Sequence, residues 1–317
     1  YSAAGGGVLI ALMALFKTYL GSIIDDKVWK GLAEGLNYGF GFMVIFMLHF
    51  TVATKQPAMT AARFAEAVEK NPQGKTLNMK LAQLLVDVFR SQSVAVLGNV
   101  VVAMGLAALI AFVYQHQTGE PLMNSENIAY QLHRIDPLDG SLWFAAIAGV
   151  WLFCSGIISG YFDNRSNYLN MRMRLAQHPL LKKLMSEKSR VKFANYMHEN
   201  YGSLIGNFCF GMLLGLTGLV GYLTHLPLDI RHVAFSSANL GYSAVSGQFA
   251  YPFFLQCIAF VLLIGLVNLM VSFSLTLWVA LRSLNTEIDS WWAIWHEVCQ
   301  IVRKRPLSLF FPVQLDK

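Results

Sequence analysis

Charged residues are scarce in this sequence. Asp, Glu, Lys and Arg make up 13% of the 317 residues, against about 25% in an ordinary soluble domain. Hydrophobic residues make up 55%, and the mean hydropathy is +0.47. A chain of this composition has too few charged residues for the polar surface of a water-soluble globule. The composition is typical of an integral membrane protein.

Cysteine is also rare, and its spacing excludes two common kinds of site. The four cysteines are Cys154, Cys209, Cys257 and Cys299. They form no C-x-x-C pair, so the sequence supports neither a zinc site nor a disulfide framework. His296-Glu297 is not the start of a metalloprotease motif, because Gln300 stands where H-E-x-x-H needs its second histidine. We expect no metal, no cofactor and no catalytic residue from these patterns.

Long apolar runs are what the sequence has in abundance. Runs of about 20 apolar residues have the length that crosses a bilayer as a helix. We predict an all-α, polytopic membrane helix bundle with about six transmembrane helices. The predicted spans are residues 5–24, 34–53, 93–114, 141–161, 204–224 and 250–281.

Lysine and arginine alternate between the segments that join these spans. Residues 54–91, residues 162–203 and the tail are rich in both. The single lysine or arginine of residues 116–140 is Arg134, and that of residues 225–249 is Arg231. The positive-inside rule therefore predicts that both ends are cytoplasmic, that the two basic segments form long cytoplasmic helical hairpins, and that Arg231 lies on the outer side.

Two regions are expected along the chain. Residues 1–283 form the predicted bundle, and residues 76–91 are expected to be an amphipathic helix that leads into the third span. Residues 57–70 are expected to form a short helix. Residues 284–317 are predicted to be an interfacial helix, rich in tryptophan, with a basic tail. The cluster Arg303-Lys304-Arg305 is expected to contact anionic lipid head groups. The chain begins with Tyr1 rather than Met, so we expect a further N-terminal region.

The polar run from Arg231 to Gly247 is the strongest candidate for a site. It lies between two apolar segments, where irregular polar backbone is tolerated only if protein or a water-filled cavity surrounds it. The run is therefore either a ligand site or a structural plug. The predicted ligand-binding residues are Arg231, His232, Ser236, Ser237, Asn239, Asn207, Asn268 and His49. Within membrane spans, amide side chains such as those of Asn207 and Asn268 also often form hydrogen bonds between helices.

A second polar cluster is predicted at the cytoplasmic ends of spans two and four. Its residues are Thr54, Lys55, Gln56, Asn164 and Arg165. They either form a functional polar cluster on the cytoplasmic side or mark the water boundary and the ends of the helices.

Several motifs resemble a bacterial membrane family described as "site-specific recombinase", the gonococcal-type recombinase-like membrane proteins. The motifs are TKQPAMTA (54–61), GYFDNR (160–165), GNFCFG (206–211), LDIRHVAFSSANL (228–240), VN (267–268) and ALRS (280–283). The resemblance implies a multi-pass inner-membrane protein of Gram-negative bacteria, in a family whose members carry a large N-terminal region. It supplies no catalytic residues.

Three functions remain open at this point. The sequence favours a transporter, channel, or lipid- or solute-binding membrane protein. The alternatives are a non-catalytic scaffold and a DNA recombinase, whose nucleophile would be Ser236, Ser237 or Tyr242 beside Arg231. That position is extracytoplasmic by the charge pattern and away from the chromosome, so nucleic acid is not an expected partner. Membrane lipids are expected partners, and a homo-oligomer is compatible with the pattern.

Overall fold

Every regular element in the described part of the chain is helical. The structure is a computed structural model that describes residues 1–52, 66–68, 75–285, 288 and 290–309. The α-helices are α1 (Ser2–Ile23), α2 (Lys27–Met47), α3 (Lys75–Thr118), α4 (Ser125–Ile135), α5 (Ser141–Tyr168), α6 (Met171–Gln177), α7 (Pro179–Leu184), α8 (Glu187–Thr224), α9 (Val233–Ser246), α10 (Tyr251–Ser283) and α11 (Trp291–Lys304). The prediction of an all-α protein is confirmed.

Five of these helices are long and apolar enough to cross a membrane, namely α1, α3, α5, α8 and α10. The remaining predicted span, 34–53, corresponds to α2, which ends at Met47. Polar side chains, including Lys30, Glu34 and Asn37, occupy the first half of α2 and lower its apolar character. A multi-pass membrane protein follows from the five helices, whereas the count of six and the orientation stay predictions.

The chain divides into two units, and unit 1 comprises residues 1–15, 50–153 and 229–317. In its core, α9 packs against both α3 and α10. Gly241 of α9 lies against the backbone carbonyl of Met104, and Gly265 of α10 lies against Val233. Glycine allows both close approaches because it has no Cβ atom, as is usual where helices meet in membranes.

The two predicted helices at the edges of unit 1 are present with different bounds. Residues 76–91 belong to α3, which continues from Lys75 into the third span without a break. The helix predicted over 284–302 begins at Trp291, where Ser290 accepts a hydrogen bond from the N–H of Ala293. The helix predicted over 57–70 lies almost entirely outside the described residues.

Unit 2 comprises residues 16–49 and 154–228. Its centre is the contact between α2 and α8. Gly31 of α2 faces Leu219 of α8, and Gly215 of α8 faces the backbone at Gly35. The rings of Phe42 and Phe210 meet with centroids 4.9 Å apart. The four-residue spacing of these glycines therefore serves helix packing.

Candidate functional site

Residues 233–246 form the regular helix α9, which corrects the prediction of irregular backbone through residues 231–247. Serine need not interrupt a helix, because its hydroxyl can bond a carbonyl one turn back. Ser237 Oγ, for example, donates to the carbonyl of Ala234 over 2.8 Å. Most of α9 is buried in unit 1, and Val233, Ala234 and Ala238 are 0% exposed.

Arg231 lies just before α9 and is 6% exposed. Its Nε donates to the carbonyl of Arg134 over 2.6 Å. Its Nη1 donates to Asp229 Oδ2 over 2.7 Å and to the carbonyl of Ile230 over 2.9 Å. The guanidinium also lies over the ring of Phe144, 4.8 Å from the centroid. The guanidinium of Arg231, which was predicted to bind a ligand, is thus bonded to other groups of the chain.

Asp229 stands between two arginines. Arg231 and Arg134 both reach its Oδ2, over 2.7 and 3.3 Å. Burial alone would raise the pKa of this carboxyl, but the positive charges of Arg134 and Arg231 and the hydrogen bonds to it outweigh burial and lower the pKa to about 2. The sequence analysis missed Arg134 as a partner, although it is the single lysine or arginine of residues 116–140.

Asn268 provides the cap at the start of α9. This side chain is 0% exposed and lies near the middle of α10. Its Oδ1 accepts the N–H of Val233 over 3.1 Å, and its Nδ2 donates to the carbonyls of Ala145 and Arg231 over 2.8 and 2.9 Å. One amide therefore joins α10, α5 and the segment before α9.

The other predicted side chains of this run are buried, except Asn239, which is half-buried. His232 is 1% exposed, and burial lowers its pKa to about 4, so its ring is neutral at pH 7. Ser236 and Ser237 are 7% and 0% exposed. Tyr242 is 1% exposed, and its hydroxyl donates to the carbonyl of Ala11 over 3.0 Å.

Asn207 and His49 belong to unit 2. Asn207 is 3% exposed, and its Nδ2 donates to the carbonyl of Ser203 on its own helix over 2.7 Å. His49 follows the end of α2 and is exposed, with a positive φ of 58°. The predicted span 34–53 includes His49, whereas α2 ends at Met47, so His49 follows the helix and its ligand-binding role stays a prediction.

Of the predicted cytoplasmic cluster, the structure describes Asn164 and Arg165, and Thr54, Lys55 and Gln56 lie outside the described residues. Asn164 and Arg165 are exposed near the end of α5. Between them and the helix end, Ser166 is 0% exposed and its hydroxyl lies 3.1 Å from Nδ1 of His198. A serine so deeply buried fixes α5 to α8 and is not placed as a nucleophile.

The chemistry open to this arrangement is limited. Arg231 bonds Asp229 and backbone carbonyls, and Asn268 and Ser237 bond the backbone. The hydroxyls of Ser236, Ser237 and Tyr242, which could act as nucleophiles, are buried. Among the described residues, no three His, Cys, Asp or Glu side chains come together in a way that could hold a metal ion.

Comparison with known protein families identifies the family of this chain. A search among curated proteins and among solved structures finds no match. The family described as "Site-specific recombinase" matches residues 1–312. This match covers nearly the whole chain, including the Arg231 segment, and confirms the resemblance seen in the motifs. The chain therefore belongs to the site-specific recombinase family.

Proposed function

We propose that the chain is a non-catalytic, multi-pass scaffold of the bacterial inner membrane, in which the Arg231 segment is a structural lock. The observation that supports this most is the bonding of the Arg231 guanidinium. It is 6% exposed, and an ion pair, two carbonyls and an aromatic ring surround it. A ligand would have to displace these bonds, each of which is costly to leave unmade in a buried place.

The pattern of charges along the sequence also argues against DNA strand exchange at this segment. The distribution of lysine and arginine predicts that the Arg231 segment lies outside the cytoplasm, whereas chromosomal DNA is inside. A recombinase also needs an accessible hydroxyl to attack a DNA phosphate. Ser237 and Tyr242, at 0% and 1% exposed, are enclosed by protein.

A solute-binding or transport protein is the second candidate, and the length of α9 favours it. With 14 residues, α9 is about 21 Å long and too short for an apolar layer of about 30 Å. It starts beside Asn268, near the middle of α10, and its C-terminal Ser246 bonds the loop after α3. Short helices that begin near the midplane beside charged groups are typical of transporter binding sites.

Thiol labelling in native membranes separates these two functions. The four native cysteines are first replaced by alanine. Ser237→Cys then places a thiol inside the proposed lock, and Leu138→Cys is the matched control, because Leu138 is 94% exposed in the neighbouring loop of unit 1. A small, charged, membrane-impermeant methanethiosulfonate is added from the outer side, before and after denaturation in detergent.

For a scaffold, the reagent modifies Leu138→Cys at once and modifies Ser237→Cys only after denaturation. Rapid labelling of Ser237→Cys in the folded protein would show a water-filled path and favour the solute-binding function. Strand exchange by the purified chain on a plasmid substrate, if lost in Tyr242→Phe, would replace both proposals by the activity that the family description states.

A further inference from the structure

Helix α11 has two chemically different faces. Ile294 and Glu297, at 0% and 8% exposed, lie on the inner face. Ile294 packs in a hydrophobic cluster with Leu81 of α3 and Leu277 of α10. On the outer face, Trp292 and Trp295 are 83% and 52% exposed. The fold of unit 1 therefore uses one side of α11 and leaves two large aromatic side chains on the other.

The outer face forms a shallow groove of about 230 Å³. Its lining residues are Trp292, Trp295, His296, Cys299, Gln300 and Arg303. Spacings of three and four residues bring these side chains onto one side of the helix. Gln300 Nε2 lies 3.4 Å from Nδ1 of His296, so the two polar side chains at the floor of the groove are neighbours.

The groove is positively charged. Arg303 lines it, and Lys304 and Arg305 follow, all three exposed. None of the six lining side chains is acidic, and Glu297 of the same helix lies on the buried inner face. An arginine fork beside a histidine and an amide suits a phosphate group, which accepts several hydrogen bonds at once.

The position of α11 places this groove at a membrane boundary. Its inner face packs against Leu277 and against Leu281, which lie in the last turns of α10. Because α10 is one of the membrane-crossing candidates, α11 lies where that helix leaves the apolar layer. Tryptophan is enriched at this depth, since its ring is apolar and its N–H is polar.

We propose that the groove on α11 binds the head group of an anionic phospholipid in the bilayer that α3 and α10 cross. In this arrangement Arg303 bonds the phosphate, Lys304 and Arg305 add positive charge around it, and the rings of Trp292 and Trp295 lie among the upper parts of the acyl chains. This assignment is independent of whether the protein is a scaffold or a transporter, because it rests on α11 and on its packing against the end of α10.

Fluorescence quenching by brominated lipids tests the assignment. The full chain is reconstituted into nanodiscs of unlabelled phosphatidylcholine with equal fractions of brominated phosphatidylglycerol or brominated phosphatidylcholine. The Trp292→Phe/Trp295→Phe variant gives the background from the other five of the seven tryptophans. We expect the α11 tryptophans to be quenched more by the anionic lipid, and soluble inorganic phosphate to leave that difference unchanged.

The variant Arg303→Gln should weaken the preference for the anionic lipid about fivefold, which corresponds to the loss of one basic side chain near an anionic surface. Arg303→Lys should retain much of it. The matched control is Lys182→Gln, which removes one exposed positive charge from α7 and should have no effect on this signal.

Four results would overturn the assignment. Equal quenching by the two lipids would show that the face is merely apolar, and an absence of quenching would show that acyl chains do not reach it. Displacement by soluble phosphate would show that the groove takes a free anion. An undiminished preference in Arg303→Gln would likewise exclude the groove as the binding place.

Discussion

The side chain of Asn268 caps a helix to which it does not belong. Its Oδ1 accepts the backbone N–H of Val233, the first residue of α9, over 3.1 Å. The first N–H groups of a helix have no partner within it and need one from elsewhere. Here that partner comes from α10, so the start of α9 is fixed by a residue 35 positions further along the chain.

Replacing Asn268 by leucine should therefore destabilise unit 1. The substitution keeps the volume roughly constant but leaves the N–H of Val233 and the carbonyls of Ala145 and Arg231 without this partner. An unsatisfied buried group costs about 1–3 kcal/mol, so we expect a loss of about 3 kcal/mol or more. Thermal unfolding of the purified chain in detergent, followed by tryptophan fluorescence, measures it as a lower Tm.

Thr276→Val is the matched control on the same helix. Thr276 Oγ1 donates to the carbonyl of Ser272 within the same helix over 2.8 Å, so its loss should change the Tm little. If Asn268→Leu and Thr276→Val lower the Tm equally, the cap on α9 contributes nothing to stability.

Arg231→Lys should also destabilise the protein, although it keeps the charge. A lysine ammonium cannot reproduce the fork that bonds Asp229 and the carbonyl of Arg134 together, and it does not stack flat on the ring of Phe144. We expect a loss of about 2 kcal/mol, since breaking part of a buried ion pair is costly.

The control for charge-conserving substitution is Arg172→Lys. Arg172 pairs with Glu199 over 3.2 Å on the surface, with side chains 50% and 62% exposed, and such pairs contribute little. Equal Tm values for Arg231→Lys and Arg172→Lys would mean that the Arg231 bonds are not structural, and the ligand-binding role would return as the better explanation.

Much of the fold follows from local patterns in the sequence. Apolar runs of sufficient length predicted α1, α3, α5, α8 and α10, because a helix is the economical way to satisfy the backbone in lipid. The amphipathic repeat over residues 76–91 predicted the long start of α3.

The bonding of the candidate site does not follow from local patterns. Arg231 bonds the carbonyl of Arg134, 97 positions earlier, and no periodicity links two such distant segments. The polar run after Arg231 was expected to have irregular backbone, yet it is helical because α3 and α10 bury it and Asn268 caps it. Composition predicted a polar centre near Arg231, but only the tertiary structure shows that its bonds are internal.

Acid should lower the stability of the folded protein by protonating Asp229. The folded-state pKa is about 2, below the ordinary value of 3.8, so the carboxylate stabilises the folded state above pH 3.8 and this contribution is lost as pH falls through 2. The difference corresponds to about 2 kcal/mol. We expect the Tm difference between the wild type and Asp229→Asn to be constant from pH 7 to about pH 5 and then to shrink.

His232 also destabilises the folded state in acid, because its pKa is lowered by burial. Both the wild type and Asp229→Asn contain His232, so the difference between their Tm values reports on Asp229. Asp139→Asn serves as a control, since Asp139 has a single, more exposed partner in His133. A Tm difference for Asp229→Asn that stayed unchanged down to pH 3 would contradict the role of the two arginines.

Gly241→Ala should disturb the contact between α9 and α3. An added Cβ would overlap the carbonyl oxygen of Met104 and would lie 3.0 Å from the Cβ of Ala107. Because the first contact is with backbone, no side-chain rotation can relieve it, and overpacking of this kind costs about 1–3 kcal/mol. The measurement is again the Tm of the purified chain in detergent.

Gly105→Ala on α3 is the matched substitution, because no described residue outside its own stretch of helix has an atom within 4 Å of the added Cβ. Alanine is favoured over glycine within a helix by roughly 0.5–1 kcal/mol, so this variant should be as stable as the wild type or slightly more stable. A Gly241→Ala variant that matched Gly105→Ala would show that α9 does not pack against α3 as closely as the structure places it, and the burial of Ser237 and Tyr242 would then lose its support.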